Sequence, residues 1–484
     1  MWLRTFQDIF TAPVRLAAPS LLHVMRQGGT HVLAFVPSLR RTSAFVPPPA
    51  PSQLPMIEAA RDLRPSPVVA PTGLDVYSRL ELARCRHWKR AFANQRKDHR
   101  YYEVVEDTIR QGFDYRYFAI KNELGDICAV QPFFLLDQDL LAGVSPKFRG
   151  AIAAVRRLWP RFMLTRTLMV GCAAGEGHID GSDEPTIAGN ARVLASSVRA
   201  IARQLGARLI VLKEFPAAYR TPLEPFRETG FTRIPSLPSA RLNIAYKNFD
   251  EYMSKALSAN MRRNLRKKFK SASRGAPIEM SLVQDITPIV DDVYRLYLQV
   301  YARSQYQFEK LTKEYFCSLG RRMPDRMRFF VWRQDGRIVA FAMCMVHNET
   351  IYFEYLGLDY RIALDVHLYH HAIRDLLSWA MARGLKWCST TAVKYDPKYH
   401  LRFTLEPLDL YVRHTSDTVN RVLKRLLPWF EPTRYDPILK QFPNYGDLWG
   451  QPQGAALDGA ANEAPEGYRE LLKPPLDSLA ADRR

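Results

Sequence analysis

Residues 328–414 constrain the fold more than any other part of the chain. Two apolar runs, 328–333 and 337–346, are separated by Gln334-Asp335-Gly336, a turn that closes two antiparallel strands. The second run is apolar at almost every position, so it is expected to be buried on both faces. Residues 351–358 read as a third strand carrying one acid, Glu354. A helix is expected from about 364 to 383. Gly384 then supplies the residue best suited to a left-handed cap, and 385–389 read as the next strand.

The same order occurs earlier. Runs 115–120 and 127–134 flank Glu123-Leu124-Gly125-Asp126, 163–170 is a third strand, and 187–205 a helix closed by Gly206 before the strand 207–212. Residues 115–130 align on 327–340 with one small gap. The alternative is two generic α/β units that merely look alike; the full recurrence favours duplication. The expected organisation is a disordered or linker segment over 1–74, with prolines recurring from 47 to 71, and a first unit over 75–248 opening on a helix over 76–92. A basic connecting helix over 249–280, a second unit over 281–416, a helical and irregular extension over 417–450 and a disordered tail over 451–484 follow.

At 484 residues the chain is too long for one core, and its net charge of +20 suits phosphate-bearing partners: nucleic acid, an anionic membrane or a nucleotide-like cofactor. Six scattered cysteines without a C-x-x-C pair argue for a reducing compartment and against a disulfide framework or a zinc site. No apolar run is long enough to span a bilayer, and the N-terminus is interrupted by charge too early for a secretory signal. Residues 1–57 hold one acid, Asp8, and five arginines. The run 258–270 holds six basic residues and no acid, with Leu257, Met261, Leu265 and Phe269 forming an apolar stripe. A cytoplasmic protein is expected, with a peripheral place at the inner membrane compatible with that helix.

A duplicated mixed-strand unit with a helix after its third strand resembles the GNAT acyltransferase fold. Two such units joined by a basic helix resemble the FemAB-like branch, which includes CelD (BcsL)-type acyltransferases. The pieces that carry the resemblance are Ser258-x-x-x-Arg262-Arg263-x-x-Arg266, the Arg383-Gly384 helix end, and the segment 395–403 before the strand 408–414. The resemblance implies an α/β fold of tandem GNAT-like domains, each a mixed sheet flanked by helices. It also implies transfer of an acyl group from acyl-CoA or an acyl-carrier-bound donor to an amine of a cell-envelope or small-metabolite acceptor. One departure stands out. GNAT proteins place glycines before the helix so that backbone N–H groups approach a pyrophosphate. This chain keeps Arg361 but has Leu364 and Val366 at those places, with Asp365 between them. The first unit has Gly171, Gly175 and Gly177, well before its helix. A carrier-protein or tRNA donor therefore stays open.

Acyl transfer needs a base for the amine, a donor for the oxyanion and a proton for the leaving group. Glu354, inside an apolar strand, is the first candidate base; its bland reading is a structural acid paired with an arginine. Tyr395 and Lys398 lie past the last central strand, where the resemblance implies a general-acid tyrosine. His367, His371 and Arg374 trace a polar stripe on the helix, His371 as a catalytic candidate and His367, Arg374 and Lys398 as acceptor contacts. His367 and His371 have the spacing of a metal-ligand pair, but no acid completes a site, so no metal is expected. Arg262, Arg263, Arg266 and Arg361 are candidates for donor phosphates. Lys267, Lys268 and Lys270 could touch an anionic membrane. Two rival functions remain: an aminoacyl-tRNA-dependent transferase, the one case that brings in nucleic acid, and a non-catalytic membrane- or glycan-binding module.

Overall fold

The computed structural model describes residues 71–139, 157, 164–272, 275–304, 308–392, 394–429 and 431–450. The expectations for 1–70 and 451–484 lie outside the described residues. The first half runs β1 (Pro71–Tyr77), α1 (Arg79–Leu82), α2 (His99–Thr108), β2 (Asp114–Asn122), β3 (Ile127–Asp139), β4 (Leu164–Val170), α3 (Glu184–Gln204), β5 (Leu209–Pro216), α4 (Glu224–Glu228), β6 (Thr232–Pro235) and β7 (Ser239–Asn243). Helices α5 (Phe249–Ala256) and α6 (Ala259–Ala272) lead to β8 (Ile278–Val283), α7 (Val290–Arg303) and α8 (Lys313–Arg322). Then come β9 (Met327–Gln334), β10 (Arg337–His347), β11 (Thr350–Leu358), α9 (Leu368–Ala382), β12 (Trp387–Thr390), α10 (Tyr395–His400), β13 (Thr404–Glu406), β14 (Leu408–His414) and α11 (Asp417–Leu426).

Two mixed sheets of seven strands result, ordered β1-β2-β3-β4-β5-β14-β6 and β13-β7-β12-β11-β10-β9-β8. In each, an antiparallel meander of four strands is followed by a crossover helix and a strand parallel to the fourth, β5 beside β4 and β12 beside β11. This is the tandem GNAT-like arrangement. The duplication reaches further than the sequence reading, with β6, β7 matched by β13, β14, and it contains a reciprocal exchange. Strand β7, from the first half, pairs with β12 and β13 in the second sheet, while β14, from the second half, pairs with β5 and β6 in the first. Contiguous units over 75–248 and 281–416 therefore do not divide the sheets: each is completed by a strand from the other half. A period-2 pattern specifies that a segment is a strand, not which edge it joins.

Three apolar layers follow from the alternation of side chains. On β10, Ile338, Phe341, Met343 and Met345 enter a core shared between the two halves with α2, α7 and α8, while Val339, Ala342, Cys344 and Val346 enter an outer layer under α9. Burial on both faces is as expected from the sequence. A third layer lies between the first sheet and α3. Gly357 allows close approach of α7 to β11: a Cβ there would lie 2.2 Å from the Phe341 ring and 2.9 Å from the backbone of Leu296.

Two elements differ from expectation. The helix expected over 76–92 is β1, the single turn α1 and a 3-10 turn at Trp88–Arg90, because Leu80 points to solvent while Leu82, Trp88 and Ala91 reach the core from separate turns. The connecting helix is two helices, broken where Leu257 turns extended (φ −93°, ψ 146°) and buries its side chain. Among the described residues, no helix is long and apolar enough to cross a membrane.

Candidate functional site

Strands β4 and β5 stay paired as far as Val170 and Leu212, and β11 and β12 as far as Phe353 and Thr390. Beyond these points each parallel pair separates. In the first unit a bulge at Lys213 and Glu214, with Glu214 at φ 55°, turns β5 aside. In the second unit the residue immediately past the separation is Glu354. Its neighbour Phe353 faces the outer layer, so alternation sends Glu354 toward the other half.

There it meets Arg96 and Lys97, from the turn that precedes α2. The Arg96 guanidinium forms an ion pair with Glu354 and lies 2.6 Å from Glu176, and Lys97 Nζ lies 2.9 Å from Glu176 and 3.6 Å from Glu354. Glu176 comes from the glycine loop after β4. A Cβ on Gly175 would stand 2.0 Å from Lys97 Nζ, so only glycine leaves room for that ammonium. Arg96 stacks 4.2 Å over the Tyr352 ring, and His178 Nε2 stands 3.3 Å from Glu176. Glu354 is 6 % exposed and Lys97 fully buried.

The belt continues inward. Lys213 Nζ donates to Gly175 O at 2.9 Å and to Glu214 at 2.6 Å. Tyr355 donates to Glu309 at 2.9 Å, and Tyr101 donates to Ala174 O at 2.8 Å with the Tyr315 hydroxyl 2.7 Å away. At its outer edge Ser389 donates to Glu406 at 2.7 Å, and Arg241 lies 3.6 Å from Glu406.

Burial sets the electrostatics. Burial, then the Arg96 charge, pulls the Lys97 ammonium below its usual range. Burial would raise Glu176, but Arg96 and Lys97 outweigh it and hold the carboxyl well below normal. Burial raises the Glu309 carboxyl, with Lys213 opposing. Tyr101 and Tyr355 are pushed far up by burial and stay neutral hydrogen-bonding groups. Each buried ion costs several kcal/mol to desolvate, so a matched set of this kind persists only when its charges are paired.

Of the residues singled out from the sequence, only Glu354 joins this belt. His371 is on the opposite face of the second sheet, its ring centroid 5.3 Å from that of Phe269 and its buried Nε2 without a hydrogen-bond partner among the described residues. Burial, then Arg374, holds it below the usual histidine range. Arg374 lies 4.9 Å over the same Phe269 ring and pairs with Asp375. His367 precedes α9 in the left-handed region at φ 50°. Tyr395 donates to Pro238 O at 2.8 Å, and Lys398, buried beside it, donates to Thr391 O at 2.5 Å with its pKa pulled down to about 7 by burial. Arg262 donates to Leu257 O at 2.7 Å and so caps α5, whereas Arg263, Arg266 and Lys267 are exposed. Arg361 is tied to Asp359 at 2.5 Å.

Among the described residues the space between the halves is not an open groove: α2, α7, α8 and the Arg96–Lys97 turn fill it. The belt reaches solvent at its outer edge, where Arg241 and Glu406 side chains are 31 % and 33 % exposed.

A pyrophosphate does not fit at either crossover helix. Before α9 the N–H groups of Val366, His367 and Leu368 donate to the turn's own carbonyls, and Leu364 and Val366 occupy the glycine places. Before α3, Asp183 accepts from Thr186 N and Glu184 follows it, an acidic cap that repels phosphate. Sequence reasoning missed Arg96, Lys97, Glu176, Lys213, Glu309 and Tyr355. The glycine spacing around Glu176 was the one visible signal.

Residues 184–393 match the FemAB_like family model, described as peptidoglycan biosynthesis/recognition, in agreement with the resemblance seen in the sequence. No curated protein sequence matches the chain. Among solved structures the chain is similar to FemX, at 12% identity, covering 67% of this chain and 93% of that one, with a TM-score of 0.43. It is also similar to L-PGS from Bacillus licheniformis (12% identity, 68% and 94% covered, TM-score 0.40) and to a tandem GNAT protein of the clavulanic acid biosynthesis pathway (11% identity, 65% and 86% covered, TM-score 0.37).

Proposed function

We propose that the chain is a transferase that moves an acyl or aminoacyl group from an activated donor to an amine of a cell-envelope acceptor. The observation that carries the reading is the position of Glu354: immediately beyond the last β11–β12 pair of the segment that matches the FemAB_like model, held between a guanidinium and an ammonium. An incoming ammonium has the charge to replace Arg96 against Glu354 and Glu176. Its nitrogen, after passing a proton to Glu354, attacks the donor carbonyl carbon. The C–N bond forms and the donor's C–O or C–S bond breaks; Lys97 gives its proton to the leaving group and takes up the second proton that the nitrogen sheds as the neutral amide forms. The lowered pKa of Lys97 suits it to that donation.

The donor's phosphates are assigned to α6 rather than to a helix N-terminus. Arg263, Arg266 and Lys267 present exposed charge there, while both crossover helices disfavour a pyrophosphate. This favours an aminoacyl-tRNA or a carrier-bound donor over acyl-CoA. The test offers charged tRNA, acyl-carrier protein thioesters and acyl-CoA in turn, with peptidoglycan precursors and free amines as acceptors, and follows label transfer. Transfer that drops at least roughly tenfold in Glu354→Gln supports the reading. No transfer with any pair, or wild-type rates in that variant, refutes it.

A further inference from the structure

We propose that α11 and the turn after it form a docking surface for an anionic lipid bilayer. The helix is anchored on one side only. Asn420 donates to Gly230 O at 2.9 Å and accepts from His414 N at 2.9 Å, and Leu427 is fully buried. Beside that anchored edge, the apolar face continues into solvent. Val419, Val422 and Leu426, at helical spacing, are 47 %, 54 % and 42 % exposed, and Trp429 and Tyr435 beyond the helix end are 65 % and 53 % exposed.

Two features select a membrane as the occupant. Arg421, Lys424 and Arg425 are exposed along the rest of the helix surface and have no ion-pair partner among the described residues. A two-fold contact with a second copy would bring these like charges together, whereas phosphate headgroups complement them. The surface is also a convex helix face ending in a tryptophan and a tyrosine, not a groove. Such a face rests in the headgroup–acyl boundary with its rings at the interface, where no complementary pocket is needed. The inference stands apart from the transferase reading, since lipid attachment requires no chemistry at Glu354.

The test uses the full chain with vesicles of phosphatidylcholine carrying about 30 mol % phosphatidylglycerol, whose negative surface potential attracts basic segments. Sedimentation measures partitioning, and brominated phosphatidylcholine reports insertion through tryptophan quenching. The expected results are quenching that Trp429→Phe largely removes, and at least a tenfold loss of partitioning in the double variant Val422→Glu, Leu426→Glu with an unchanged circular dichroism spectrum. A triple variant on α6 (Arg263→Gln, Arg266→Gln, Lys267→Gln) is expected to keep the Trp429 quenching. Because that quenching is read on the wild-type fold, the proposal stays testable even if the double variant misfolds. Absence of the chain from the vesicle pellet, quenching that does not involve Trp429, or partitioning lost only in the α6 variant would overturn it. So would a double variant that dissociates a dimer without changing partitioning, since the face would then belong to a second copy.

Discussion

Glu354→Gln tests whether the belt between the halves is a matched charge set. Arg96 and Lys97 face Glu176 and Glu354, two positive against two negative groups, all with side chains at most 13 % exposed. Removing one carboxylate while keeping its shape leaves an uncompensated positive charge, and breaking a buried pair in this way costs about 3–5 kcal/mol. The cost should depend on pH, because the belt can relieve it by deprotonating Lys97. That ammonium already lies below its unfolded value of 10.5, and removing the negative charge 3.6 Å from its Nζ disfavours the protonated form further. A lysine depressed in the folded state binds its proton more tightly when unfolded, so stability rises with pH through the interval between the folded pKa and 10.5. Urea denaturation of wild type and variant is therefore expected to show the largest deficit where Lys97 is protonated in both states and a smaller one as pH rises toward the unfolded lysine value and Lys97 sheds its proton. A second substitution, Lys97→Met, should recover much of the loss in the variant while being costly alone, giving a coupling of about 1–3 kcal/mol in the double-mutant cycle. A deficit that is independent of pH, or additive single changes, would refute the matched-set argument.

Three further outcomes are expected. Gly175→Ala places a methyl at the Lys97 ammonium and forces alanine to φ 127°, so a loss of about 2–4 kcal/mol is expected by chemical denaturation, and a neutral result would show that Lys97 does not occupy that space. Gly357→Val drives a side chain into Phe341 and the backbone of α7; about 3 kcal/mol or more should be lost, with the near-ultraviolet spectrum altered, and a wild-type melting curve would contradict the close approach of α7. Lys398→Met removes an ammonium whose pKa is about 7 in the fold against 10.5 unfolded, a gap worth roughly 5 kcal/mol at acidic pH. The variant should be more stable than wild type at pH below about 6, with the difference narrowing as pH rises toward the unfolded lysine value, and a constant difference would remove the titration from the account.

The sequence by itself determined the units. Alternating and continuous apolar runs, the Asp335-Gly336 turn, and Gly206 and Gly384 as helix ends follow from local sterics and periodicity. They located three strands of each meander, missing β1 and β8 at the sheet edges, and the duplication the meanders share. The family resemblance was legible for the same reason, since it rests on the order of those elements. Within the site, Glu354 was visible because an acid inside an apolar strand must find a partner. That partner was not visible. Arg96 and Lys97 stand in the polar stretch Asn94-Gln95-Arg96-Lys97-Asp98, which reads as an exposed turn, and Glu176 lies in a glycine loop nearly 180 residues from Glu354. Only the tertiary structure decided that β7 and β14 change places, because strand pairing is a long-range choice between edges with similar hydrogen-bonding groups. It also decided that His371 and Tyr395 lie across a sheet from Glu354. Side chains on one strand alternate between faces, but which face looks toward the other half depends on how two sheets pack, and no local pattern encodes that.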